Sequence, residues 1–219
     1  MVVKMKEAEP ISELLSELKN FPRPAGIFID GPNTFGALRE LNWHINWRNF
    51  AGLMKNLFGQ DVSLYFCTAN DSKNEGQQNF LSILEEVGFK IFLQEVVKKT
   101  SNPNLNFLNW LYNPYAKKFP NKNGKDHRAD FCINKGDIDA FLGFLIGKFM
   151  PQFKTLVLFS GDYNFFPVVK SCINEGKEVV IMSFKCSLSL KLANLASKVV
   201  FLEEPNIKPY LVLQNQFRN

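Results

Sequence analysis

Short apolar runs alternate with helix-length amphipathic segments along most of this chain, and no other feature restricts its fold as much. Ala25–Asp30, Val62–Cys67, Phe89–Val96, Ala129–Ile133, Thr155–Phe159, Glu178–Ser183 and Lys198–Leu202 read as strands. Several are apolar almost without a break, as strands covered on both faces are. Trp47–Phe58, Asn74–Val87, Asp137–Phe149, Phe165–Glu175 and Ser187–Ala196 read as helices, with Gly59, Gly88 and Gly176 standing where three of them stop. Strand–helix alternation of this kind predicts an α/β fold: a three-layer α/β/α sandwich around a mainly parallel, Rossmann-like sheet with right-handed crossovers.

The chain has 219 residues, 46% hydrophobic and 21% charged, enough for one sizeable core. Ile11, Leu14, Leu15 and Leu18 recur at helical spacing before Pro22 and Pro24, so residues 1–24 are expected to be a helical extension. Residues 25–204 then form the domain, and residues 205–219 a surface tail. Met1–Glu7 lacks the apolar core of a signal peptide, and no apolar run is long enough to span a bilayer. Cys67, Cys132, Cys172 and Cys186 lie far apart with no CxxC pair. Buried, reduced thiols and a soluble cytoplasmic protein are the expectation. The net charge of +5 is compatible with a polyanionic partner but does not require one.

Functional groups of parallel α/β sheets gather beyond the carboxyl ends of the strands. Three acidic phrases fall at such places. Ile29-Asp30-Gly31-Pro32-Asn33 ends the first strand, Lys135-Gly136-Asp137-Ile138-Asp139 opens a helix, and Ser160-Gly161-Asp162-Tyr163-Asn164-Phe165 ends a later strand. One strand-end Asp alone serves equally well as a helix cap or turn residue. Several converging carboxylates repel one another unless a proton or cation lies between them. The hard cations Mg²⁺ and Mn²⁺ suit such a site, held by a few carboxylates, water and substrate phosphate.

In order and spacing these phrases resemble the NYN domain family, the branch of PIN-like nucleases that includes the LabA-like proteins. Val168-Val169, Asn174-Glu175-Gly176-Lys177-Glu178-Val179-Val180 and the Ser187…Leu190…Leu192-Ala193…Ala196 pattern extend the resemblance to Leu202. It implies metal-dependent hydrolysis of RNA phosphodiesters, with Mg²⁺ or Mn²⁺ as cofactor and single-stranded RNA as partner. Asp30 matches the first-strand aspartate and Asn33 the amide after it. Asp139 matches the central aspartate, with Asp137 as the alternative register, and Lys135 the basic residue before it. Asp162 matches the first aspartate of a Ser-Gly-Asp-x-Asp-Phe signature. Asp30, Asp139 and Asp162 are thereby implied as catalytic, with Asn164 joining them as metal ligands. Asn33 and Lys135 are implied as substrate contacts. Two positions depart from the pattern. Asn164 replaces the signature's second aspartate, and a helical aspartate is replaced by Leu145 or Gly143, depending on register. Fewer carboxylates attract a divalent ion less strongly.

Residues 98–128 interrupt the alternation with a basic, aromatic insert containing Trp110, Tyr112 and Tyr115. Its Lys117, Lys118, Lys122, Lys125 and Arg128 are candidate phosphate contacts. Its aromatics equally fit packing of the excursion onto the body. His44, between Trp43 and Trp47, reads as structural, and His127 has no partner at zinc spacing. A haloacid-dehalogenase phosphatase would need an acid two residues after Asp30, where Pro32 stands. A glycine-rich nucleotide loop is absent. The rival from another class is a non-catalytic RNA-binding or protein-interaction module that keeps the fold and part of the site.

Overall fold

The computed structural model describes residues 11–70, 74–95, 135–205 and 207–213. Helix α1 (Ile11–Lys19) leads into β1 (Ala25–Asp30), α2 (Gly31–Leu41), β2 (His44–Ile45), α3 (Trp47–Phe58), β3 (Ser63–Asn70), α4 (Glu75–Glu86) and β4 (Phe89–Glu95). After the insert come α5 (Lys135–Phe149), β5 (Thr155–Phe159), a 3₁₀ turn (Tyr163–Phe165) and α6 (Phe166–Asn174). The chain continues through β6 (Glu178–Ser183), α7 (Leu190–Ala193), β7 (Lys198–Phe201), α8 (Lys208–Leu211) and β8 (Val212–Leu213). The predicted strand Ala129–Ile133 and the 98–128 insert lie outside the described residues. No described helix is long and apolar enough to cross a membrane.

β1, β3, β4, β5, β6 and β7 form one sheet in the order β4-β3-β1-β5-β6-β7, with every pairing parallel. The chain builds outward from β1 through β3 to β4, then crosses back and builds the other way from β5 to β7. The direction reverses between β1 and β5, where an open parallel sheet leaves a crevice at its carboxyl edge. Both faces are covered. Ile27 and Ile29 of β1 face a core shared with α1, α2, α3 and α4, while Phe28 faces a second core built with α5, α6 and α7. Burial on both sides explains why β1 and β5 lack the polar alternation of half-exposed strands. In the first core Trp47 meets Phe66, Phe80 and Phe89 edge-on at centroid distances of 5.4, 5.9 and 5.9 Å, favourable geometries for aromatic quadrupoles.

Three expectations change, and one helix is added. Gly31-Pro32 opens α2, which the sequence reading did not place. Asp30 is the N-cap and accepts from the Asn33 N–H at 3.2 Å, while Pro32 occupies the first helical turn, where its missing N–H costs nothing. The helix expected over Ser187–Ala196 is confined to Leu190–Ala193. Ser187 is held back by its N–H to the Phe184 carbonyl, and Ser189 by its N–H to the Gly161 carbonyl. The segment after Pro205, expected to be a surface tail, contributes Ile207 and Leu211 to the first core. Its β8 pairs antiparallel with β2 through His44–Leu213 and Ile45–Val212. Helix α1, read as an extension, likewise buries Leu14 and Leu18 in that core.

With Ile207 buried in the first core, Ile207→Ala leaves a cavity and should destabilise the protein by about 2–5 kcal/mol. The shift in denaturant midpoint checks it; an unchanged midpoint would return the segment to the surface.

Candidate active site

The β1–β5 switch point places Asp30 and the Ser160-Gly161-Asp162 turn side by side. Asp30 is fully buried, and a buried carboxylate needs donors around it. The Asn33 N–H supplies one to Oδ1, and the Ser160 hydroxyl donates to Oδ2 at 2.8 Å. Ser160 also accepts from the Asp162 N–H at 3.2 Å, so one hydroxyl links the end of β1 to the turn after β5. Asn33 adds a second tie: its side-chain carbonyl accepts from the Gly161 N–H at 3.2 Å.

Gly161 is required by close approach. A Cβ there would lie 2.2 Å from the Ser187 carbonyl oxygen and 2.7 Å from the Ser183 hydroxyl. The missing side chain lets the turn seat against the β6–α7 connection, where the Gly161 carbonyl accepts from the Ser189 N–H at 2.9 Å. Downstream, Asp162 caps the 3₁₀ turn by accepting from the Asn164 N–H at 3.1 Å. The side-chain amide of Asn164 then donates to Asp139 Oδ2 at 2.9 Å. Asp139 is buried on the first half of α5, whose Ile138, Leu142, Leu145 and Ile146 fix that helix to the second core.

Asp30, Ser160, Asp162, Asn164 and Asp139 therefore form one continuous hydrogen-bonded chain across three elements. Cys67 registers its electrostatics. It pairs with Asp30 in the β1–β3 ladder, and burial first, then the negative charges of Asp30 and Asp139, pushes its thiol up to about 12. Beside the chain, Asp139, Ala140 and Gly143 of α5 face Asn164, Phe165, Pro167 and Val168 across an open cleft of about 390 Å³. Leu145 is buried in the core while Gly143 lines the cleft with open space at its Cβ position. Of the two registers left open by sequence, only Gly143, one helical turn beyond Asp139, could present a carboxylate to this cleft.

Lys135 and Asp137 fall on the first turn of α5. Lys117, Lys118, Lys122, Lys125 and Arg128 lie outside the described residues. His44 is exposed on β2. Among the described residues no three His, Cys, Asp or Glu side chains gather as one metal-binding group. Asp30, Asp139 and Asp162 are thus linked in series instead of surrounding one point. Two carboxylates, Asp139 and Asp162, are nevertheless both hydrogen-bonded to Asn164, whose amide carries a further oxygen, and oxygen donors of this kind suit a hard cation. The residues fit a divalent ion with fewer charges than a full acidic site. Ser160 is the participant that sequence reasoning understated. Its signal was the Ser-Gly pair before Asp162, but its partner is 130 positions away.

An all-parallel sheet flanked by helices, with acids at its switch point, defines a PIN-like α/β/α protein. The chain belongs to the NYN domain family: the sequence model of that domain matches residues 24–203. NYN domains fall within the PIN-like nuclease superfamily. A crystal structure of a protein of unknown function from Vibrio parahaemolyticus is similar in fold, with a TM-score of 0.60 at 19% identity. The match covers 89% of this chain and 98% of that one. No curated protein matches the sequence.

Ser160→Ala removes a donor to the buried Asp30 carboxylate and an acceptor from the Asp162 N–H together. A loss of about 1–3 kcal/mol in unfolding free energy is expected, read by urea denaturation. A neutral substitution would show that Ser160 does not hold the turn.

Proposed function

We propose that this protein is a LabA-like NYN nuclease that hydrolyses phosphodiester bonds of single-stranded RNA with Mg²⁺ or Mn²⁺, and that its site is weakened. The reading rests on one observation: the strand-end acids Asp30 and Asp162 and the helical acid Asp139 share a single hydrogen-bonded chain at the sheet's switch point. Asp139, Asp162 and the Asn164 amide would hold the cation, which supplies a water of lowered pKa and neutralises phosphate charge. Asp30 acts from behind, fixing Ser160 and through it the Asp162 backbone. Asn33 holds Gly161, which keeps the turn at the mouth of the crevice. A polyanion would be repelled by these carboxylates alone. Lys135 and the insert residues Lys117, Lys118, Lys122, Lys125 and Arg128 are assigned to its phosphates. The protein acts in the cytoplasm, where thiols such as Cys67 and Cys172 remain reduced.

Asn164 favours a second reading. An aspartate at this position would set two carboxylates about 3 Å apart, an arrangement that needs a proton or cation between them. The neutral amide instead donates to Asp139 Oδ2, so this contact needs no cation between its two groups. Together with Gly143 in place of a helical acid, this suits a module that binds RNA without cutting it.

The two readings separate by metal linkage. Mn²⁺ at about tenfold over its Kd adds about 1.4 kcal/mol to stability, or about 3–6 °C in Tm for a chain of this size. Asp162→Asn should abolish the rise. Asn164→Asp should lower Tm in EDTA, through repulsion with Asp139, and enlarge the rise in Mn²⁺ together with cleavage of labelled RNA. Adding Gly143→Asp should increase both further. If Mn²⁺ leaves melting and RNA intact in the parent and in Asn164→Asp, the binding-module reading replaces the nuclease.

A further inference from the structure

Two exposed aromatic rings that neither core uses stand next in sequence to residues lining the cleft. On α5, Phe144 is 63% exposed, beside Gly143 and one helical turn from the cleft-lining Ala140. In the 3₁₀ turn, Tyr163 is 47% exposed and lies between Asp162 and Asn164. Its ring leans on Phe166 at a centroid distance of 5.5 Å. Lys191 Nζ stands 5.2 Å from the Tyr163 ring centre, on α7. The turn that carries Tyr163 is held by the Gly161 and Ser189 contacts described above, so the ring is presented from a fixed backbone. Of the neighbouring phenylalanines, Phe141 and Phe165 pack against or within the second core, and Phe166 is half-buried beneath Tyr163.

An exposed aromatic ring suits a nucleobase, because every base has a π-face and stacking does not depend on sequence. A cation beside that ring suits the next phosphate along the strand. We propose that Tyr163 and Phe144 are base-stacking positions for single-stranded RNA crossing the Asp139–Asn164 cleft, with Lys191 turning from the Tyr163 ring to an adjacent phosphate. This rests on the reading of the cleft as an RNA site and specifies how that site takes its strand. Stacking a base on each ring requires bases splayed out of a helix, so an unpaired strand should bind better than a duplex. The sugar–phosphate backbone between the two stacked bases is brought past Asp139 and Asp162.

Binding of a fluorescein-labelled oligouridylate, followed by anisotropy in Mn²⁺ and in EDTA with strand integrity checked on a gel, tests the assignment. Tyr163→Ala and Phe144→Ala should each weaken binding by about five- to a hundredfold, the range expected for loss of one stacked base. Tyr163→Phe should bind within about twofold of the parent, because the ring and not its hydroxyl is used. Lys191→Gln should reduce the slope of log K against log salt by about 0.7, the value for one phosphate contact on a single strand. Melting curves should be unchanged in all four variants, since the replaced groups are at the surface. Parent-like binding by both alanine variants overturns the stacking assignment and leaves the RNA reading standing. So does equal loss in Tyr163→Phe and Tyr163→Ala, or tighter binding of the duplex. Dissociation of a dimer by Phe144→Ala, with RNA affinity intact, would assign that ring to a protein interface. Failure of the parent to bind the oligonucleotide in either buffer would overturn both this assignment and the RNA reading.

Discussion

The hydrogen bond from Ser160 to the buried carboxylate of Asp30 organises the functional end of this molecule. A carboxylate removed from water is tolerated only where donors replace its hydration. Here they come from two sides, the first turn of α2 and the turn after β5. Because β1 and β5 are neighbours at which the sheet changes direction, satisfying Asp30 also ties together the two strand ends that border the crevice. Asn33 and Gly161 reinforce the same seam. The position of Asp162, and through it of Asn164 and Asp139, follows from that seam. A change at Ser160 or Gly161 would therefore reach the cleft without touching any residue that lines it.

Asn164 governs what the crevice can do. As an amide it caps Asp139 and accepts its place beside Asp162 without a compensating cation. With an aspartate there, the cluster would be unstable alone and avid for metal. Under the proposed reading, the same backbone would bind metal strongly or weakly according to one side chain. Gly143 acts in the same direction: its open Cβ position leaves the α5 wall without a carboxylate, although the helix would place one facing the cleft.

Much of the fold was legible because strands buried on both faces leave unbroken apolar runs. The limits of β1, β5 and β6 agree with the sequence reading, as do those of α3 between its Asn46 cap and Gly59. Helix α2 was hidden because Gly31-Pro32 has the composition of a turn and shows its helical role only once Asp30 is seen as the cap. The β2–β8 ribbon joins two-residue strands far apart in sequence, and so short a pairing leaves no periodic signal. The candidate acids were visible as strand-end or helix-opening residues, since position relative to an apolar run is local information. Their connections were not, because Ser160 to Asp30 and Gly161 to Asn33 span 130 and 128 residues. Which of Gly143 and Leu145 faces the cleft likewise needed the rotation of α5 about its axis, which buries Leu145 and turns Gly143 to the cleft.

The central claim is that the Asp139–Asn164–Asp162 edge of this hydrogen-bonded chain accepts a divalent cation. A crystal of the protein soaked in Mn²⁺ and measured at the manganese absorption edge addresses it directly. The account predicts one anomalous peak bounded by Asp139, Asp162 and a re-oriented Asn164 amide, at oxygen distances of about 2.0–2.2 Å. A map with no peak there, and with the Asn164 amide still donating to Asp139, would contradict it.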